Sequence, residues 1–336
     1  MTDATIARAE SIARSALTDF GLAADATLTF VKQRENTVFR VDTPQGRFAL
    51  RIARPGYRSD AEVASEVEFV HALRVHGIDV PDFLSTQDGA PFAVRTADGL
   101  WFQVVVQQWV HDAVPLEDIA NAHDGTSTLT ADDFASIGEL AARVHRASAD
   151  IGLPEAYDRP AWDAPGLIGA RPLWGDPCAL REHTDDDVRL LRDAAASLER
   201  LLAAAGADAG VFGVLHADFT PENLMRRADG TLCLIDFDDC GEGWHAFDLA
   251  TTLFFFQPHP LYVEYRQALE AGYARALGAA GGDASRTLAL LDPMILARGM
   301  TYLGWAAERR GDETAEFLAA EVRPFVLDLA RRHLAA

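Results

Sequence analysis

Asp218, Asn223 and Asp236 place an acid, a carboxamide and a second acid around one short stretch of chain. The stretch reads Val-Leu-His-Ala-Asp-Phe-Thr-Pro-Glu-Asn-Leu-Met from Val214 and Leu-Cys-Leu-Ile-Asp-Phe-Asp-Asp from Leu232. Apolar runs around Leu224 and from Leu232 to Ile235 flank Asp229-Gly230, which is the signature of a β-hairpin. Such a hairpin folds Asn223, at the start of its first strand, back beside Asp236, at the end of its second, and both then face the loop carrying Asp218. Phosphoryl transfer from ATP asks for this set: one carboxylate near an acceptor hydroxyl, and oxygen ligands for magnesium. Asp218 suits the first role. Asn223 and Asp236 suit the second, because magnesium takes few protein ligands and keeps its other positions for phosphate and water.

The elements that must position this set fall into two blocks, 1–110 and 111–336. Residues 3–20 read as an amphipathic helix, with Ile6, Ile12, Leu17 and Phe20 among Asp3, Glu10 and Asp19. Alternating stretches over 26–53, broken at Pro44-Gln45-Gly46, predict an antiparallel meander. Helical spacing over 59–77 follows a cap at Ser59-Asp60, and strands follow around Phe92–Arg95 and Trp101–Val110. From Glu117 the chain is mainly helical, interrupted by the hairpin and by a Pro-, Gly- and Trp-rich stretch from Pro154 to Pro177.

Within Phe-Ala-Leu-Arg-Ile, alternation sends Phe48, Leu50 and Ile52 to one face and Ala49 and Arg51 to the other. On the following helix, Val63, Val67, Val70 and Leu73 form an apolar stripe with Glu66 inside it, whereas Glu68 points away. A carboxylate on a buried face needs a cation, so Glu66 is expected to pair with Arg51.

The motifs resemble the aminoglycoside phosphotransferase and choline kinase-like branch of the protein-kinase fold, and within it the group of type II homoserine kinases and the bacterial stress-response kinase. Leu-His-Ala-Asp-Phe-Thr-Pro-Glu-Asn is similar to that family's catalytic loop, and Ile-Asp-Phe-Asp-Asp-Cys-Gly followed by Phe-Asp-Leu-Ala is similar to its metal segment and the helix after it. The resemblance implies an α+β, bilobal fold with an antiparallel-sheet N-lobe for nucleotide and a mainly helical C-lobe for catalysis and acceptor. It implies that Asp218 is the base or hydroxyl-orienting residue and that Asn223 and Asp236 hold Mg2+. It also implies that His216 packs under the metal loop and that Asp248 braces the catalytic loop through backbone amides.

Two features depart from the pattern. Arg51 stands where the family's Ala-x-Lys strand has lysine, and a planar fork is not a point charge. The phosphate-covering loop, Lys32-Gln33-Arg34-Glu35-Asn36-Thr37, has no glycine, so Asn36 and Thr37 either offer amides to phosphate or form an ordinary turn. Lys32, the chain's one lysine, precedes that loop. By position, the backbone of Gln108 and Val110 should meet the adenine edge.

For the acceptor, Asp238, Asp239 and Glu242 lie beside the metal acid and could hold an ammonium group. Trp244, Tyr302 and Trp305 could form an aromatic wall for a cationic amine, or fill the core. The expected reaction is transfer of the ATP γ-phosphate to a hydroxyl of a small amine-containing metabolite or aminoglycoside. A Ser/Thr protein kinase, or a nucleotide-binding regulator with little transfer activity, is the alternative.

Composition is compatible with this. A chain of 336 residues with 49% hydrophobic content can bury a large core. Three cysteines, Cys178, Cys233 and Cys240, are too few and scattered for a disulfide framework. A net charge of −21 argues against a nucleic-acid partner. With no apolar run of spanning length and no signal-like start, the reading is a cytoplasmic protein away from membranes.

Overall fold

Apolar periodicity at the N-terminus yields helix α1 (Asp3–Ala16), which tightens into a 3-10 turn over Leu17–Phe20 and stops at Gly21 in the left-handed region. The computed structural model describes residues 3–34, 36–153 and 156–336. Glu35 in the glycine-free loop and Pro154 at the head of the proline-rich stretch lie outside the described residues.

The chain divides into two compact units. The first comprises Met1–Val114, Leu153–Arg159 and Met225–Ile235; the second comprises Pro115–Gly152, Pro160–Leu224 and Asp236–Ala336. The units are therefore discontinuous in sequence. The outer part of the hairpin belongs to one, and both of its ends, with Asn223 and Asp236, belong to the other.

In the first unit, β1 (Thr27–Gln33), β2 (Thr37–Thr43), β3 (Gly46–Ile52), β4 (Phe83–Leu84), β5 (Ala93–Ala97) and β6 (Leu100–Gln108) form an antiparallel sheet of order β1-β2-β3-β6-β4, with β5 on β6. Alternation along β3 does what the sequence requires. Leu50 and Ile52 join Phe39, Val41, Val104 and Val106 in a core closed by Ile12, Ala13 and Ala16 of α1 and by Leu17 of the 3-10 turn. Each such Val, Leu, Ile or Phe side chain, fully buried, contributes about 1.5–3 kcal/mol. Helix α2 (Asp60–Val75) starts at a reciprocal capping box between Ser59 and Glu62 and buries Val63, Glu66, Val70 and Leu73.

Strand β7 (Ala113–Pro115) joins the hairpin strands β9 (Leu224–Arg227) and β10 (Leu232–Leu234) in a sheet of order β10-β9-β7. Arg227 grips Asp79 with two bonds, of 2.6 and 2.9 Å, and Leu234 N–H donates to the Asp79 carbonyl at 3.0 Å. These bonds fix the hairpin to the segment after α2.

The second unit is helical: α3 (Ile119–His123), α4 (Ala131–Ile151), α5 (Ala164–Leu167), α6 (Asp185–Ala205) and α7 (Ala246–Leu253), then α8 (Tyr262–Ala279), α9 (Ser285–Ala289), α10 (Leu291–Glu308), α11 (Glu313–Phe317) and α12 (Arg323–Ala335). Its one small sheet pairs β8 (Phe212–Leu215) with β11 (Gly241–Trp244) antiparallel, Leu215 opposite Gly241. That register brings the residues after Leu215 and those before Gly241 to the same end, so the loops of Asp218 and of Asp236 to Asp239 share it. Among the described residues no helix is long and apolar enough to cross a membrane.

Candidate active site

The loop after β8 turns through Ala217 at φ 64°, and Asp236 is held at φ 66°. Left-handed backbone at a non-glycine residue costs on the order of 1–3 kcal/mol and persists only where its surroundings over-determine it. Asp248, on α7 and wholly buried, supplies part of that hold. Its Oδ1 accepts from Ala217 N–H at 2.8 Å and its Oδ2 from His216 N–H at 3.1 Å. His145 on α4 lies 3.0 Å from the same Oδ2 and, through its other nitrogen, 3.0 Å from the Tyr273 hydroxyl. Thr252 adds a 2.7 Å bond from its hydroxyl to the Phe219 carbonyl. The His216 ring meets Phe237 of the following segment edge-on at 4.6 Å and accepts Asp218 N–H at 3.2 Å.

The Asp218 carboxylate is gripped at both oxygens. Asn223 Nδ2 donates to Oδ2 at 2.8 Å and also reaches the Asp218 carbonyl at 2.9 Å. Arg298 Nη2 donates to Oδ1 at 2.7 Å. Arg298 comes from α10 and is wholly buried, with its guanidinium carbon 4.5 Å from the Trp174 ring, 4.2 Å from Tyr302 and 5.4 Å from Phe247. Trp174 can lie there because Gly175 and Gly304 let the two backbones touch: a Cβ on Gly304 would come within 2.1 Å of the Gly175 carbonyl oxygen. Burial pushes the Tyr302 phenol up to about 12, with Arg298 pulling the other way, so the hydroxyl stays protonated and accepts from Arg298 Nη2 at 2.9 Å.

Arg298 was not among the residues singled out from sequence. A signal was present: from Met294 to Trp305 it is the one charged residue in an apolar helical run, four positions before Tyr302. A lone charge on a buried helix needs a partner.

Among the described residues, no three His, Cys, Asp or Glu side chains converge as a metal cage. The groups present nonetheless suit a hard divalent cation. Asn223 turns its amide nitrogen to Asp218, which leaves the carboxamide oxygen as its donor, and Asp236 lies at the same end of the hairpin. Two oxygen donors of this kind match magnesium, which completes its shell with water and phosphate.

Of the acids proposed for the acceptor, Asp238 is buried and Asp239 half-buried. Asp239 accepts from Trp174 Nε1 at Oδ1 (3.3 Å) and from Trp162 Nε1 at its carbonyl (2.7 Å). Glu242 is on β11, half-buried, with its carbonyl bonded to Trp162 N–H at 2.6 Å. The aromatic wall does not form. Trp244 is core: 5% exposed, its N–H on the Gly206 carbonyl at 2.8 Å and its ring edge-on to Phe212. Tyr302 is covered by Arg298, and Trp305 is faced by Arg309 at 4.3 Å.

In the first unit Arg51 and Glu66 meet at 2.6 Å, 7% and 0% exposed, with Arg51 also 6.0 Å from the Phe83 ring. Glu68 is exposed. Ala49 lies between Arg40 and Gln107 in the sheet. Gln108 N–H donates to the Asp82 carbonyl at 2.9 Å, so a ligand would find only its carbonyl, with Val110 two residues on. The Asn36 carbonyl accepts Arg34 N–H at 3.1 Å across the β1–β2 turn, and Thr37 opens β2.

Comparison with known proteins accords with this arrangement. The solved structure of a microcompartment-associated aminopropanol kinase superposes with a TM-score of 0.83 at 27% identity, covering 97% of this chain and 98% of that one. An amicoumacin kinase shares the fold, with a TM-score of 0.70 at 19% identity over 90% and 88% of the two chains. A homoserine kinase of Pseudomonas aeruginosa is 27% identical over 224 residues, 65% of this chain and 61% of that one. Residues 27–289 match the phosphotransferase enzyme family, so the chain belongs to that family and is a kinase of protein kinase-like fold with an alcohol group as acceptor.

Proposed function

We propose that this kinase moves the γ-phosphoryl group of ATP to the hydroxyl of a small amino alcohol or hydroxy-amino acid. The observation that carries the reading is the Asp218 carboxylate, fixed at both oxygens by Asn223 and Arg298 at the end of the β8–β11 pair from which the loop of Asp238 and Asp239 also leaves. Asp218 accepts the hydrogen of the acceptor hydroxyl and aims its oxygen in line with the phosphorus, which is the positioning that a loose phosphoryl-transfer transition state rewards. Asn223 and Asp236 hold Mg2+, which neutralises phosphate charge when bound. Arg51, fixed by Glu66, meets the nucleotide phosphates; Asn36 and Thr37 offer backbone amides, Ala49 lines the base, and the Gln108 carbonyl and Val110 amide read the adenine edge. The nucleotide-binding residues then fall within 1–110, and the catalytic and acceptor-binding residues within 111–336.

The acceptor's ammonium is assigned to Asp239, with Glu242 and Asp238 adding negative field. Aromatic recognition of a methylated amine is disfavoured, because the faces of Trp174 and Tyr302 already hold Arg298. A primary amine held by carboxylates agrees with the names of two similar proteins, an aminopropanol kinase and a homoserine kinase.

The test is ADP release with Mg-ATP across aminopropanol, ethanolamine, homoserine, spectinomycin and a generic protein substrate, alongside thermal stabilisation by Mg-ATP. Turnover of one small amine-bearing hydroxyl compound is expected, and phosphorylation of the protein substrate alone would replace this reading with a protein kinase. Asp239→Asn should raise the KM for that acceptor about 10–100-fold, the weight of one charge-assisted hydrogen bond, and leave the KM for ATP unchanged.

A further inference from the structure

We propose that Arg298 is a positioning residue for the transfer step, holding Asp218 and the Ala217 backbone in the orientation the acceptor hydroxyl requires; this rests on the reading of Asp218 given above. Three acceptors converge on its guanidinium: Ala217 O at 3.1 Å from Nη1, and Asp218 Oδ1 at 2.7 Å and Tyr302 OH at 2.9 Å from Nη2. Ala217 is the left-handed residue of the loop, and its N–H is already taken by Asp248. Its N–H is therefore held by a buried anion and its carbonyl by a buried cation.

Stability alone does not account for this arginine. Desolvating a charge is expensive, and a buried ion pair is often matched or bettered by apolar side chains of similar volume. A methionine would suit the apolar run of α10 better. What the fork supplies is geometry: with Asn223 on Oδ2 and Arg298 on Oδ1, the carboxylate cannot rotate about its own axis. A lysine, being a point charge on a flexible stem, cannot reproduce the three bonds together. Wholly buried, Arg298 acts through Asp218 and does not itself meet the substrate.

The experiment compares the full-length enzyme with Arg298→Met, Arg298→Lys and Arg298→Ala. It measures kcat and the KM values for ATP and for the fastest acceptor of the panel above, aminopropanol being tried first. Variants that Mg-ATP still stabilises against heat are taken as folded. Arg298→Met should lose about 100-fold in kcat, the cost of a misplacement near 1 Å, with the KM for ATP unchanged. Arg298→Lys should stay near the Met variant. In Arg298→Ala, millimolar guanidinium should restore turnover saturably, which a general loss of packing would not allow.

Wild-type kcat in a folded Arg298→Met overturns the proposal. Should Arg298→Met fail to fold, Tyr302→Phe decides, since it removes only the hydroxyl sharing Nη2: a lower kcat at constant KM for ATP supports the proposal and an unchanged kcat overturns it. Failure of the underlying reading is separate, because Asp218→Asn would then turn over normally. A dead Asp218→Asn beside a fully active Arg298→Met sinks only the role of Arg298.

Discussion

At Asp218 reactivity and stability are tied together, because the carboxylate proposed to orient the acceptor is also the counter-ion of a buried guanidinium. Stripping one partner from a fully buried pair costs about 3–5 kcal/mol, and less here because the Asp218 side chain is 30% exposed and water can reach it. Asp218→Asn keeps a carbonyl for Arg298, so it should abolish transfer with a smaller fall in melting temperature than Asp218→Ala. Activity assays and thermal melts on both variants check this, and equal melting temperatures would mean that Arg298 does not depend on the residue opposite. The types and spacing of Asp218, Asn223 and Asp236 were readable from sequence because the hairpin linking them is local. The second grip on Asp218 comes from 80 residues downstream and was not.

Among the elements, β3 and α2 show how far periodicity reaches. Period-two alternation faced Arg51 away from the core, period-3.6 spacing turned Glu66 inward, and the structure joins them at 2.6 Å. Arg51→Met should destabilise by about 3–5 kcal/mol in urea unfolding, since Glu66 is left charged and buried, and Arg51→Met combined with Glu66→Met should recover most of it. A double variant no more stable than the single one would show that the cost lies in packing. Arg51→Lys keeps the charge and changes the fork to a point, so the KM for ATP should move more than kcat. The segment proposed to meet the adenine edge was legible only as a position: that Gln108 spends its N–H on Asp82 depends on where the short strand β4 docks on β6.

For the whole molecule, burial sets the response to acid. His245 is held well below its usual range by burial and then by the neighbouring His145, which stacks on it at 4.4 Å. His183 is lowered by burial, with Arg323 opposing its charge, and His333 is lowered by burial. The unfolded chain takes up these protons near pH 6.5 and the folded chain only at lower pH, so stability is full above that value and falls as pH drops through it. The melting temperature should therefore decline between pH 7 and pH 5, and His245→Phe should flatten part of the slope. A melting temperature constant across that window would show that these rings take up protons equally in the folded state.

The sequence by itself determined the local elements and the chemistry they carry: an amphipathic first helix, the alternating faces of β3, the capped α2, and an acid, a carboxamide and an acid around one hairpin. Those follow from interactions among residues close along the chain, where periodicity and turn chemistry leave few choices. Only the tertiary structure decided what grips Asp218, which aromatics are core, and that the Gln108 amide is already spent. The pairing of β8 with β11, the contact of Gly175 with Gly304 and the docking of α10 join residues up to 129 positions apart. No local pattern encodes such partners, because a buried charge states in sequence only that it needs one and leaves the choice to packing.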